Sequence, residues 1–141
     1  MRIIVMDGMG GGIGAQICAR IKPLLGDAHE LIALGANAIA TAAMIKAGAT
    51  VGATGENAIL VNVPRADLIL GPVGVAIPHS LMGEITPSMA AAVALSPARK
   101  VLLPMTQTHT HFELVGVESR PVSASLDELA QRVGKLLSPS A

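Results

Sequence analysis

A glycine-rich segment that directly follows a short apolar run constrains this chain more than any other feature. Residues 3–6 are Ile-Ile-Val-Met, and such a continuous apolar run is typical of a strand buried on both faces of a parallel sheet. Apolar residues at helical spacing begin soon after the glycines, with Ile13, Ile17 and Ile21. The sequence therefore predicts a strand, a tight glycine turn and a helix at the start of the fold. The turn consists of Asp7, Gly8, Met9, Gly10, Gly11, Gly12, Ile13 and Gly14.

The rest of the chain alternates short apolar runs with helical patterns, which favours an α/β fold. Further strands are predicted near residues 30–34, 49–54, 68–70, 101–103 and 112–115. Asn37 and the pair Thr86-Pro87 are typical helix starts, and residues 125–128 carry a capping-box pattern that opens a last helix to about residue 137. We expect a three-layer, doubly wound, mostly parallel sheet of Rossmann-like type. Residues 1–137 would form this single domain, and residues 138–141 would be a disordered tail.

The glycine turn fits a variant of the dinucleotide-binding fingerprint, with Gly10, Gly12 and Ala15 at the spacing G-x-G-x-x-A. Without Cβ atoms the backbone can approach a phosphate, and the following helix offers free N–H groups and a positive dipole end. A tight turn with no ligand is the alternative. The acidic residue that NAD sites place at the end of the second strand is missing, because Glu30 begins that strand. Asn37 ends it and can bond a ribose hydroxyl, so NAD(P) stays open alongside other nucleotides.

Sheets of this kind bind ligands beyond the carboxyl ends of their strands, so the residues that follow the predicted strands are the candidate binding residues. Asp7 can contact a ligand hydroxyl or a metal, or act as a general base; alternatively it forms an Asx turn that organises the loop. For an enzyme, Asp7, Glu56 and His109 are the candidate catalytic groups. The predicted ligand-binding residues are Asp7, Gly8, Met9, Gly10, Gly11, Gly12, Ile13, Gly14, Gly35, Asn37, Thr54, Glu56, Asn57, Gly71 and Gly74.

His109 and His111 are the weak candidates for a metal site. In an extended chain they point the same way, and two imidazoles can hold a divalent metal if a carboxylate completes the site. Two histidines in a surface loop are the alternative, and we expect no metal site. The single cysteine, Cys18, permits no internal disulfide and is expected to fill the core.

Charge and composition exclude several classes of protein. Ten Lys and Arg residues balance ten Asp and Glu residues, which argues against a nucleic-acid-binding protein. A membrane-spanning helix needs about 20 apolar residues, and no stretch qualifies. The N-terminal apolar run is too short for a signal peptide, so we expect a cytoplasmic protein. Charged residues make up only 14%, against about 25% in average domains, which favours a homodimer or higher homo-oligomer.

Five separated motifs together resemble one family. They are residues 7–14, residues 33–41, residues 52–58 (Gly-Ala-Thr-Gly-Glu-Asn-Ala), residues 71–74 (Gly-Pro-Val-Gly) and residues 83–87 (Gly-Glu-Ile-Thr-Pro). The chain is similar over residues 1 to about 135 to a small prokaryotic family catalogued as domain of unknown function 3842. The resemblance implies a Rossmann-like single domain and transfers no catalytic residue.

Three functions are consistent with these features. The favoured one is a homo-oligomeric sensor or accessory protein that binds a nucleotide-type or other phosphate-bearing small molecule at the glycine loop. The second is an NAD(P)-dependent or nucleotide-processing enzyme whose pocket is completed across a subunit interface. The third is a metal-binding accessory protein that uses His109 and His111. The favoured hypothesis depends on the absence of a nucleophile elbow or a Tyr/Lys pair in the sequence.

Overall fold

Five parallel strands in the order β3-β2-β1-β4-β5 form the centre of the molecule. The structure is a computed structural model that describes residues 1–104 and 112–138. The strands are β1 (Arg2–Asp7), β2 (Glu30–Gly35), β3 (Val51–Thr54), β4 (Leu68–Pro72) and β5 (Arg99–Leu103). The helices are α1 (Gly12–Leu25), α2 (Ala38–Lys46), α3 (Glu56–Asn62), α4 (Pro87–Leu95) and α5 (Val122–Leu137), and short 3₁₀ turns cover Gly26–Ala28, Val63–Arg65 and Val73–Ala76.

The central strand β1 shows how two hydrophobic cores form on the two faces of the sheet. Successive side chains of a strand point to opposite faces. Ile3 and Val5 therefore belong to one buried cluster together with residues of α1, α2 and α5. Ile4 and Met6 belong to a second buried cluster with residues of α3 and α4. This three-layer, doubly wound arrangement confirms the fold predicted from the alternation of strands and helices.

The order of the strands reverses at the carboxyl end of β1. The chain passes from β1 to β2 and β3 on one side, then crosses back to β4 and β5 on the other. β1 is paired along its whole length with β2, up to the pair Asp7 and Gly35. In open sheets of this kind, ligands bind where the strand order reverses, outside the carboxyl ends of the strands. That point lies at the glycine loop.

Two local predictions are wrong. Residues 112–115 form no strand, and within the described residues β5 remains the edge of the sheet. Val115 is fully exposed, so the apolar residues of this run do not form part of the core. The last helix begins at Val122, before the capping-box pattern, and Ser125 is a buried residue inside it. Ser138 ends this helix, and residues 139–141 lie outside the described part of the chain.

In the described part of the chain, no helix has the length and apolar character needed to cross a membrane.

Candidate ligand-binding site at the glycine loop

The carboxylate of Asp7 holds the glycine loop together from inside. Its side chain is 4% exposed. Oδ1 accepts the backbone N–H of Gly8 at 2.8 Å, and Oδ2 accepts that of Gly14, in the first turn of α1, at 2.7 Å. Both oxygens therefore bind the loop's own backbone, which is the arrangement expected of a residue that organises the turn.

The start of α1 leaves N–H groups without a protein partner. Gly11 precedes the helix in the left-handed conformation, with φ of 72°, and has no side chain that could cap it, so Asp7 supplies the acceptor for Gly14 instead. Among residues 1–104 and 112–138, no hydrogen-bond acceptor meets the backbone N–H of Gly10, Gly12 or Ile13. A Cβ atom built on Gly10 or Gly12 would meet no atom within 4 Å. Gly10 and Gly12 are exposed and Ile13 is partly exposed, so the residues that carry these N–H groups lie at the surface.

A second carboxylate, that of Glu84, reaches the glycine loop from the segment after β4. Its Oε1 accepts the backbone N–H of Met9, and its Oε2 accepts Nδ2 of Asn37 at 2.7 Å. Asn37 also donates to the carbonyl of Met9 at 2.9 Å, while its Oδ1 caps α2 by accepting the N–H of Ala40 at 2.9 Å. Glu84 therefore joins the loop after β1 to the end of β2. It was not among the predicted site residues, although it lies within the family motif at residues 83–87.

The segment that carries Glu84 has an unusual backbone. His79, Leu81 and Met82 all have left-handed φ values, of 64°, 55° and 59°. Such conformations are costly for residues other than glycine and persist where the surroundings impose them. Here Leu81 is 1% exposed and lies against Gly8, where an added Cβ would come 3.0 Å from its Cδ1. Ser80 is equally buried and donates its hydroxyl to the carbonyl of Gly74.

Hydroxyl groups and a third carboxylate lie near the carboxyl end of β3. Thr41 and Thr54 share a hydrogen bond of 2.8 Å between their hydroxyls. Glu56, at the start of α3, accepts the hydroxyl of Thr86 at 2.5 Å, and Asn57 is exposed beside it. The structure thus brings the predicted residues Thr54, Glu56 and Asn57 to the same edge of the sheet as the glycine loop.

Several predicted glycines are explained by packing alone. A Cβ on Gly35 would lie 2.2 Å from Oγ1 of Thr41, and one on Gly71 would lie 2.4 Å from the carbonyl oxygen of Met6. A Cβ on Gly14 would collide with the side chain of Met44 at 2.5 Å, and Gly74 lies against Ser80. Of the glycines in the loop, only Gly10 and Gly12 have room for a Cβ atom. The glycine pattern therefore has two causes: close packing at some positions and a backbone open to solvent at these two.

Two of the side chains that bind the glycine loop are carboxylates. Burial raises the pKa of Asp7, the N–H groups of Gly14 and Gly8 oppose that rise, and the nearby charge of Glu84 adds to it. In the described part of the chain, neither Asp7 nor Glu84 forms an ion pair with a lysine or arginine. Cys18 lies below the loop in the core, where burial raises the pKa of its thiol to about 12. A buried neutral thiol is typical of a core residue, as predicted.

The predicted histidine pair, His109 and His111, lies outside the described residues. Within residues 1–104 and 112–138, no three metal-ligating side chains come together in a group that could hold an ion.

A glycine loop at the switch point of a five-stranded parallel sheet defines a Rossmann-like α/β protein. The chain belongs to the family described as domain of unknown function (DUF3842), whose model matches residues 2–138. This confirms the resemblance carried by the five motifs.

Comparison with solved structures finds a protein titled universal stress protein in complex with cAMP. It is 23% identical to this chain, with a TM-score of 0.39, and the match covers 70% of this chain and 94% of that one. No curated protein matches the chain.

Proposed function

We propose that this protein binds a phosphate-bearing small molecule of the nucleotide type at the glycine loop. The observation that supports the proposal is the group of N–H donors at Gly10, Gly12 and Ile13, which have no acceptor among residues 1–104 and 112–138 and lie at the switch point of the sheet. Unpaired N–H groups at a helix start bind anions because each donates a hydrogen bond and the helix dipole adds a partial positive charge.

The chemistry around these donors favours a ligand with hydroxyl groups over a bare anion. The carboxylates of Asp7 and Glu84 border the same loop and repel excess negative charge. Free inorganic phosphate would therefore bind weakly. A nucleotide places its phosphate on the N–H groups while its sugar and base offer hydrogen-bond donors to the surrounding carboxylates.

We infer a binding role in preference to catalysis. Both carboxylate oxygens of Asp7 are engaged by backbone N–H groups, and Glu56 is engaged by Thr86. These two candidate acid–base groups therefore have structural partners already. NAD(P) remains one of several nucleotides to test.

The proposal includes a cytoplasmic homo-oligomer. Large apolar side chains are exposed around β3, a strand at the edge of the sheet. Ile39 is 71% exposed on α2, and Val51 is 47% exposed on β3 itself. Contact between two such surfaces would bury apolar area that one chain leaves in water. The exposed group consists of Ile39, Ile45, Val51, Leu60 and Val61.

The substitution Gly12→Ala tests the proposed binding site. Its new methyl group meets no protein atom within 4 Å, so the fold is retained and the methyl projects into the space assigned to the phosphate. Gly134→Ala in α5 is the matched control, because that glycine is equally free of contacts. Each change should raise stability by up to about 1 kcal/mol, since alanine is the better helix former.

The measurement is a thermal-shift panel with NAD, NADP, ATP, GTP, FMN, coenzyme A and S-adenosylmethionine, followed by calorimetric titration. We expect at least one of these compounds to stabilise the wild type and Gly134→Ala alike. Gly12→Ala should lose about tenfold or more in affinity, because a single misplaced or lost charged hydrogen bond has about this effect. If no compound stabilises the wild type, or if Gly12→Ala binds like Gly134→Ala, the proposal fails.

A further inference from the structure

Glu84 fills a position in the fold that β2 itself leaves without an acidic residue. Dinucleotide-binding sheets place a carboxylate at the carboxyl end of the second strand, where it accepts the ribose 2′-hydroxyl. In this chain that end reads Gly35-Ala36-Asn37. The carboxylate of Glu84 arrives there from the segment after β4 and lies 2.7 Å from Nδ2 of Asn37.

We propose that Glu84 accepts the ribose hydroxyls of the bound nucleotide and thereby selects a free 2′-hydroxyl over a 2′-deoxy or 2′-phosphorylated sugar. This inference rests on the proposed function, since it requires a nucleotide whose phosphate lies on the glycine loop. Asn37 is the positioning residue, because its amide donates to both Glu84 and the carbonyl of Met9 and its oxygen caps α2.

The carboxylate has acceptor capacity left for a sugar. An ionised carboxylate offers about four lone-pair sites. Glu84 uses one at each oxygen, for the N–H of Met9 and for the amide of Asn37. No lysine or arginine in the described part of the chain pairs with it, so a 2′-phosphate would meet uncompensated repulsion.

The backbone holds Glu84 in place without the ligand. Its N–H donates to the carbonyl of Leu81 at 3.1 Å, and the next residue, Ile85, donates to the carbonyl of Ser80 at 3.2 Å. Leu81 and Ser80 are each 1% exposed, so this turn is anchored in the core. His79, Leu81 and Met82 in this turn have left-handed backbone conformations, which persist where the surrounding structure imposes them. A preorganised acceptor loses little conformational freedom when a sugar binds.

The test compares ligand pairs within each variant, so that a general loss of affinity cancels. Calorimetric titration uses ATP against 2′-deoxy-ATP, GTP against 2′-deoxy-GTP, and NAD against NADP, with pyrophosphate as the probe without ribose. The variants are Glu84→Gln and, as the matched control, Glu30→Gln at the opposite end of β2. The thermal midpoint of each variant without ligand verifies that it is folded.

For wild type and Glu30→Gln we expect the ribose nucleotide to bind about tenfold more tightly than its 2′-deoxy counterpart, for ATP, GTP or both. We also expect NAD to bind more tightly than NADP. In Glu84→Gln both ratios should fall to near one, with the affinity for pyrophosphate unchanged or higher. Equal binding of ribose and deoxy forms by the wild type would overturn the inference while leaving the proposed function intact.

Two further outcomes would also overturn the inference about Glu84. If Glu84→Gln tightens every ligand equally, the carboxylate is a competing anion that a ligand must displace from Met9. If neither nucleotides nor pyrophosphate bind the wild type, the proposed function fails and the inference fails with it.

Discussion

The starts of α1 and α4 lie at the same edge of the sheet and are capped by different parts of the chain. At α4 the hydroxyl of Thr86 accepts the N–H of Met89 at 3.1 Å, and Pro87 occupies the first position without an N–H of its own. At α1 the preceding residue is Gly11, in a left-handed conformation, and the N–H of Gly14 is accepted from outside the helix by Asp7 of β1. The residue before α4 therefore carries its own cap, whereas the residue before α1 has no side chain, and a Cβ built on Gly12 would meet no atom within 4 Å.

The difference separates two uses of a helix start. Capping residues satisfy backbone groups that would otherwise lack partners and stabilise the helix by about 1 kcal/mol. A glycine in the same place contributes no side-chain cap but admits a ligand close to the backbone. The start of α2, capped by Asn37, follows the α4 pattern. Among these three helices, only α1 is preceded by a glycine.

The largest expected effect comes from placing a methyl group on Gly11. Its φ is +72°, and an added Cβ would lie 2.7 Å from Cα of Ala40 in α2, a backbone atom that cannot rotate away. We expect Gly11→Ala to reduce the free energy of unfolding by about 3 kcal/mol or more, from left-handed strain and overpacking together. Urea denaturation measures it. Gly10→Ala, with no atom within 4 Å, is the control and should change stability by less than about 1 kcal/mol.

A smaller effect is expected at the capped start of α4. Thr86→Ala removes the acceptor for the N–H of Met89 and the donor to Glu56, which should cost about 1 kcal/mol of stability. Thr86→Ser keeps the hydroxyl and should recover most of that loss. Equal stability of the alanine variant and the wild type would show that the cap contributes nothing, and the contrast with α1 would lose its physical basis.

The smallest expected effect is on the pH dependence of stability. It arises from Asp7, whose carboxylate accepts the N–H of Gly14 in α1. Its pKa is raised by burial above the ordinary value of 3.8, so the unfolded chain loses this proton at lower pH than the folded chain does. Stability of the wild type relative to Asp7→Asn should therefore fall as pH rises above 3.8 through the folded-state pKa, and stay constant above it. Urea denaturation of both proteins over a pH series measures the difference. A relative stability that increases with pH would contradict this sign.

Local signals in the sequence predicted most of the fold. The apolar run at residues 3–6 forms the central strand, and Asn37 and Thr86 cap the helices that they were expected to start. Each of these features depends on residues close together in the chain. The strand predicted at residues 112–115 does not form: Phe112, Leu114 and Val115 are exposed, and the sequence alone does not reveal which short apolar runs are buried.

Glu84 was missed for a related reason. It lies 75 positions after Met9 in the sequence, and only the fold brings the two residues together. Residues 83–87 form one of the five motifs that resemble the family, but no spacing rule connects this motif with a glycine loop. Conversely, Gly35 and Gly71 looked like ligand contacts, whereas Thr41 and the backbone of Met6 account for their lack of a side chain.

β1 and β3 differ in how firmly the sheet holds them. β1 is paired on both sides, and Ile3, Ile4, Val5 and Met6 are at most 1% exposed. Its amides should exchange with solvent hydrogen only through global unfolding. β3 is a four-residue strand at the sheet edge and should open locally. The glycine loop therefore follows the strand whose amides should exchange most slowly, whereas Thr54 ends a strand whose amides should exchange faster. If the site closes around a ligand, we expect the β3 side to move.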